Sequence, residues 1–187
     1  DPTSGVVAYK DEARTGELIN PTTWNEIQTQ ITTTTQVPQY DEYDNQIGTK
    51  EVVSEMSSES VMRCQIKEEW YFDKQRSQLM VKIIAFCPVK MIDLEDGQSV
   101  PQPMFWINYD SAREVLAQAP YYNRSNSAAR LSYDEVFLKR MFDSYIYKKD
   151  NMFDRNIREY AQGVDALLES ERIKQSIIDF EQNLWEY

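Results

Sequence analysis

Histidine is absent from this 187-residue chain. Its absence removes Ser-His-Asp and Cys-His nucleophilic sites, together with the commonest general base. Only two cysteines are present, and without imidazole they cannot complete the four-ligand shell of a structural zinc. The five glycines are too scattered to form a phosphate-cradling loop, so the residues point to no cofactor. Positive charge is scarce as well: 20 Lys and Arg stand against 31 Asp and Glu, a net charge of −11. Such a chain is a poor partner for nucleic-acid phosphates and gains nothing from an anionic membrane surface. No apolar run approaches the roughly 18 residues of a membrane-spanning helix, which argues against direct insertion. The chain opens Asp1-Pro2-Thr3-Ser4-Gly5, with no basic or apolar leader. It therefore reads as cytosolic, or as a form whose targeting peptide is missing.

What is present is apolar and aromatic. Hydrophobic residues make up 41%, with 4 Trp, 12 Tyr and 7 Phe, enough to bury the core of one domain. The first third differs from the rest. Asn20-Pro21 reads as a helix cap with proline at the first helical position. Trp24, Ile27 and Ile31 then follow at the spacing of a short amphipathic helix. From Thr32 through Pro38 to Ser60 the chain is polar and acidic without a sustained period, and residues 33 to 60 read as a long loop or arm. Composition thus divides the chain into an N-terminal helix with an acidic arm, 1–60, and an α+β core, 61–187.

The core opens on alternation. Between Met62 and Phe72 the even positions are Met62, Cys64, Ile66, Glu68, Trp70 and Phe72, a strand with one apolar face. After the polar turn Lys74-Gln75-Arg76-Ser77 the parity inverts to Leu79, Val81, Ile83, Ala85, Cys87 and Val89. A hairpin centred between Gln75 and Arg76 sets Phe72 opposite Leu79, Trp70 opposite Val81 and Met62 opposite Val89, so the two apolar faces coincide. That register also sets Cys64 opposite Cys87. A disulfide there would close a loop of about two dozen residues, contribute roughly 3 kcal/mol and require an oxidising compartment. Two reduced core cysteines fit the pattern as well, because free Cys packs as a small hydrophobe.

Beyond a loop from Leu94 to Pro103, Met104 to Tyr109 read as a third strand. Two capping boxes follow, Ser111 with Glu114 and Ser132 with Glu135. The first opens a helix stopped by Pro120; the second opens one running to about Tyr147 and burying Val136, Phe137, Met141 and Tyr145. A helical piece from Asn151 ends at Gly163, and a long helix runs from Val164 to about Trp185. That helix carries two stripes, Val164, Leu167, Leu168, Ile178 and Trp185 on one side and Ile173, Ile177, Phe180 and Leu184 on the other. One buried face needs only one stripe, so the helix is either sandwiched in the domain or presents its second face to a partner. Ile173, Ile177, Phe180 and Leu184 are the candidate interface.

The fold class is therefore α+β: a small antiparallel sheet built on a hairpin at about 61–90 plus the strand 104–109, packed by C-terminal helices. Acid–base chemistry without histidine would fall to paired carboxylates. Candidates are Glu68, Glu69, Asp73, Asp93 and Asp110. Glu68 stands out, because a carboxylate on an apolar strand face is either raised in pKa or paired with an Arg or Lys from a packed helix. Asp41, Glu42 and Asp44 lack the calcium loop's glycine and terminal glutamate. No catalytic and no metal-binding residues are assigned.

Several long ordered runs give the chain a resemblance. EEWYFDKQRS (Glu68 to Ser77), KRMFDSYIYK (Lys139 to Lys148) and the ALLESERIK…FE..LWEY ending resemble the GldN/PorN family of the type IX secretion and gliding machinery of Bacteroidetes, over about two thirds of the chain. The resemblance implies a non-enzymatic periplasmic protein. It would be held at the outer membrane by a GldK/PorK-like lipoprotein, in a large hetero-oligomeric ring, and would contact a GldM/PorM-like motor component. It supplies no catalytic residues. The competing readings are a secreted hydrolase using Glu68 and a stand-alone adaptor that binds an extended peptide along the hairpin edge.

Overall fold

A computed structural model of the chain describes residues 4–10, 18–40, 46–56, 60–93, 97, 99–122 and 130–183. The alternation at residues 62–89 forms the expected hairpin. Strand β4 (Val61–Asp73) turns at Lys74–Ser77 into β5 (Gln78–Asp93). Ile83, Ala85, Cys87 and Val89 are all buried on β5, so the inverted parity marks a real inner face. β4 lies at one end of the strand order, and there the expected face opens to solvent: Met62, Cys64 and Trp70 are exposed. An edge strand has a neighbour on one side only, so less of its apolar face is covered.

The fold is α+β, with a five-stranded antiparallel sheet and C-terminal helices. Its strand order is β1 (Ala8–Lys10), β7 (Phe105–Asn108), β5, β4. β6 (Ser99–Pro103) pairs with the far end of β5, Val89 opposite Pro103. Two sequence expectations change here. Ser99–Pro103 is strand where a loop was expected, and residues 8–10, which composition sets apart from the core within the segment 1–60, pair with Phe105–Ile107 at one end of the sheet.

The chain forms two compact units. The first comprises Asp1–Asp11, Leu18–Ile66 and Ala85–Ser111; the second comprises Glu12–Glu17, Lys67–Ile84 and Ala112–Tyr187. The compositional boundary at residue 60 falls within the first unit.

In the first unit Ala85, Cys87 and Trp106 form the buried cluster, with Tyr9 and Leu18 packed on it. Helix α1 (Trp24–Ile31) starts later than Asn20-Pro21 implies. Its cap is Thr23, whose hydroxyl accepts from the Glu26 N–H while Glu26 reaches back to the Thr23 N–H. Pro21 instead bridges to Tyr9. Residues expected as irregular arm form a hairpin, β2 (Thr32–Tyr40) with β3 (Gln46–Glu55). The β-branched run Thr32–Thr35, in register with Val52–Glu55, explains why strand wins over loop.

Helix α2 (Tyr109–Gln118) also starts before its expected cap. Asn108 Oδ1 accepts from the Ser111 N–H at 2.9 Å, so Asn108 is the cap and Ser111 the third helical residue. The Ser111 hydroxyl accepts instead from the Val7 N–H beside β1, at 3.0 Å.

In the second unit, short strands β8 (Pro120–Tyr121) and β9 (Leu131–Ser132) pair ahead of helix α3 (Tyr133–Leu138). The Ser132–Glu135 box is present in full, and Lys139 with the Ser132 backbone holds the Glu135 carboxyl below its usual range. α3 nevertheless ends after six residues rather than near Tyr147. Val136 is buried as expected, but Met141 and Tyr145 are exposed. Residues 151–163 hold a single 3₁₀ turn, Ile157–Glu159, in place of the expected helix. The last helix, α4 (Val164–Asn183), starts where expected, after Gly163 at φ 57.

Candidate interaction surface

The end of α3 is set by one strained residue. Arg140 lies at φ 52, and its N–H donates to Phe137 O while the Met141 N–H donates to Val136 O. This is the double hydrogen bond of a Schellman ending, with arginine where glycine is usual. A left-handed non-glycine residue costs about 1–2 kcal/mol, so other contacts must hold it. Its guanidinium provides them. Nη1 and Nη2 donate to the two oxygens of Glu68 at 2.5 and 3.4 Å. The same group lies 5.6 Å from the Trp70 ring centre and 5.3 Å from that of Phe142. Trp70 Nε1 donates to Glu68 Oε2 at 3.1 Å, closing the cluster.

This cluster answers the question that Glu68 posed. The carboxylate on the apolar face is paired, by an arginine just past a helix. The two runs EEWYFDKQRS and KRMFDSYIYK, about 70 residues apart in sequence, meet here through Glu68, Trp70, Arg140 and Phe142. The other carboxylates have local partners or stand open. Asp73 accepts from the Gln75 and Arg76 N–H groups in the hairpin turn. Asp110 lies in the first turn of α2, and Glu69 is exposed. The Asp93 side chain and Asp41, Glu42 and Asp44 lie outside the described residues. Among the described residues no three His, Cys, Asp or Glu stand together as a metal site.

The cysteines are both free thiols, Cys87 buried and Cys64 on an exposed residue. The Cys64 thiol donates to the Gln65 carbonyl at 3.5 Å. Neighbouring chain atoms still desolvate that sulfur, which pushes the thiol up to about 11.

Helix α4 sorts its two stripes unequally. Ile173 is 7% exposed and Ile177 half-buried, so this stripe turns inward at its N-terminal end. Ser170 beside it is buried, its Oγ accepting from the Ile146 N–H at 2.9 Å. Near the far end the Leu79 N–H donates to Glu181 at 3.5 Å. Phe180 is exposed, and Leu184 lies outside the described residues. On the opposite stripe Val164, Leu167 and Leu168 face solvent at 70, 59 and 63% exposure, and Trp185 lies outside the described residues. Periodicity identifies both stripes but carries no sign for which is covered.

No helix among the described residues is long and apolar enough to cross a membrane. Residues 3–186 match the family model described as gliding motility associated protein GldN. No curated protein matches the chain.

Proposed function

The chain belongs to the GldN family, and from that premise we propose that it is a structural subunit of the gliding and type IX secretion machinery. In this reading it acts in the periplasm through protein–protein contacts, without catalysis. It joins a GldK/PorK-like outer-membrane lipoprotein in a large ring and touches a GldM/PorM-like motor component. Membrane attachment belongs to the lipoprotein.

The observation that carries the reading is the open stripe of α4. Val164, Leu167 and Leu168 lie together on one helix face and are more than half exposed, a cost in solubility that a subunit recovers when a partner covers them. The hairpin β2–β3 supports it: two-stranded ribbons are marginal alone in water, so an arm of this form suits a partner's surface.

Co-purification from the native envelope tests the assembly. The protein should elute in a very large complex with the lipoprotein and motor component, and elution as a monomer would overturn the reading. Leu167→Asp with Leu168→Asp should abolish the complex while shifting stability by about 0.5 kcal/mol or less, as solvent-facing changes do. Ile173→Asp should unfold the domain. An intact complex with the double variant would remove this stripe from the interface. Deleting residues 36–58 should weaken partner binding and leave the remaining domain folded; unchanged binding would exclude the arm.

A further inference from the structure

Beside the first half of α4 lies a groove of about 550 Å³, whose lining includes Lys149, Phe153, Arg155, Tyr160, Arg172 and Ile173. Its charges are unusual for a chain of net charge −11. Arg172 is committed to Glu169 by two bonds of 2.7 Å, and Glu169 accepts from the Tyr160 hydroxyl as well. The Lys149 and Arg155 cations have no carboxylate partner among the described residues, and the remaining acid of the lining is Asp150. Arg155 is held by ring faces: its guanidinium carbon lies 4.8 Å from the Phe153 centre and 5.8 Å from that of Tyr160. Stacking of this kind leaves the N–H edge free to grip a carboxylate.

The groove's outer wall is a loop built by one side chain. Asn151 Nδ2 donates to the carbonyls of Lys149 and Arg155, at 2.8 and 2.9 Å. Its Oδ1 accepts from the Phe153 and Arg155 N–H groups, at 3.2 and 3.0 Å. Asp154 is held at φ 50, with Lys148 Nζ on its carboxylate at 2.6 Å. A loop fixed in this way displays Met152 at 88% and Phe153 at 66% exposure. Pre-organised apolar side chains beside unpaired cations lose little entropy on binding. Neither Met152 nor Phe153 is buried as a core residue would be.

We propose that this groove docks an acidic segment of a partner protein. A carboxylate of that segment pairs with Arg155 and Lys149, and a neighbouring aliphatic side chain packs between Phe153 and Ile173. Charge selects the occupant: the unpaired cations favour an acidic chain, and the apolar wall favours a peptide over a free anion. This goes beyond the assembly reading, which assigns nothing to this surface.

The test places a photo-cross-linking amino acid at Met152 of the full-length protein in its native cells and sequences the captured peptide. The expected product is a segment of another protein carrying several Asp or Glu within reach of the link. Arg155→Glu should lower its yield by about tenfold or more, the effect of losing a charged contact that the partner buries, in a variant that still unfolds cooperatively. Lys149→Glu should act in the same direction. No product, a lipid adduct, a link to a second copy of this chain, or a neutral or basic peptide would each overturn the proposal. So would a yield indifferent to Arg155→Glu in a folded variant. An acidic segment from a protein outside the gliding machinery would keep the groove and overturn the assembly reading instead.

Discussion

Replacing Arg140 separates two effects that the structure places on one residue. Arg140→Ala removes both hydrogen bonds to Glu68 and both ring contacts, while alanine keeps the left-handed strain. Hydrogen bonds to charged groups contribute about 1.5–3 kcal/mol, and each cation–π contact about 0.5–1 kcal/mol. The arginine side chain is 37% exposed against 14% for Glu68, so solvent screening draws the total down to about 2 kcal/mol. Arg140→Gly loses the same contacts but releases about 1 kcal/mol of backbone strain. The glycine variant should therefore be more stable than the alanine variant by about 1 kcal/mol, or roughly 2–4 °C in melting temperature for a chain of this size. Urea unfolding followed by circular dichroism and tryptophan fluorescence measures both, and Trp70 reports from inside the cluster. A cycle with Glu68→Ala should give a coupling of about 1 kcal/mol. A glycine variant no more stable than the alanine variant would refute the strained ending of α3, and strict additivity with Glu68→Ala would refute the ion pair.

The remaining expectations concern local devices. Asn108→Ala should cost about 1 kcal/mol by uncapping α2, and amide exchange in its first turn should rise; Ser111→Ala should instead loosen the Val7 amide. The Glu26 carboxyl is drawn down to about 2, first by Lys10 and then by the Thr23 backbone and the Thr22 hydroxyl. Because its folded pKa is depressed, the stability it contributes is present above the ordinary carboxylate range near 4.5 and lost as pH falls toward 2. An NMR titration of Glu26 should show that low midpoint and Lys10→Ala should raise it; a midpoint already ordinary in the native protein would refute the pairing. Cys64, its thiol near 11, should alkylate slowly at neutral pH and quickly only toward pH 11, with Cys87 unreactive until unfolding. Rapid neutral modification of native Cys64 would contradict its desolvation.

Much of the fold is legible in the sequence because its signals are local. Period-two alternation gives the β4–β5 hairpin and the buried face of β5, and the Ser132–Glu135 spacing gives the start of α3. The failures are local rules with competitors. Asn108 outbids Ser111 as a cap from three residues upstream, and Thr23 replaces Asn20. Asn151 captures four backbone groups that a helix would need, since short amide side chains offer the chain an alternative to helical bonding. The run beyond α3 looks helical by composition, yet Arg140 is drawn out of the helix by a carboxylate about 70 positions earlier.

The candidate surface divides in the same way. Composition by itself excludes histidine chemistry and makes the chain strongly acidic. The signature runs by themselves carry the family, since an ordered string of residues needs no fold to be compared. Periodicity also marks two apolar stripes on α4. Which stripe is covered depends on contacts from residues far away in sequence, and tertiary structure alone turns Ile173 inward and leaves Leu167 and Leu168 in solvent. It alone joins Glu68 to Arg140 and gathers Lys149, Arg155 and Phe153 around one groove. Pairing and exposure are properties of neighbours in space, and a linear pattern fixes faces without fixing what meets them.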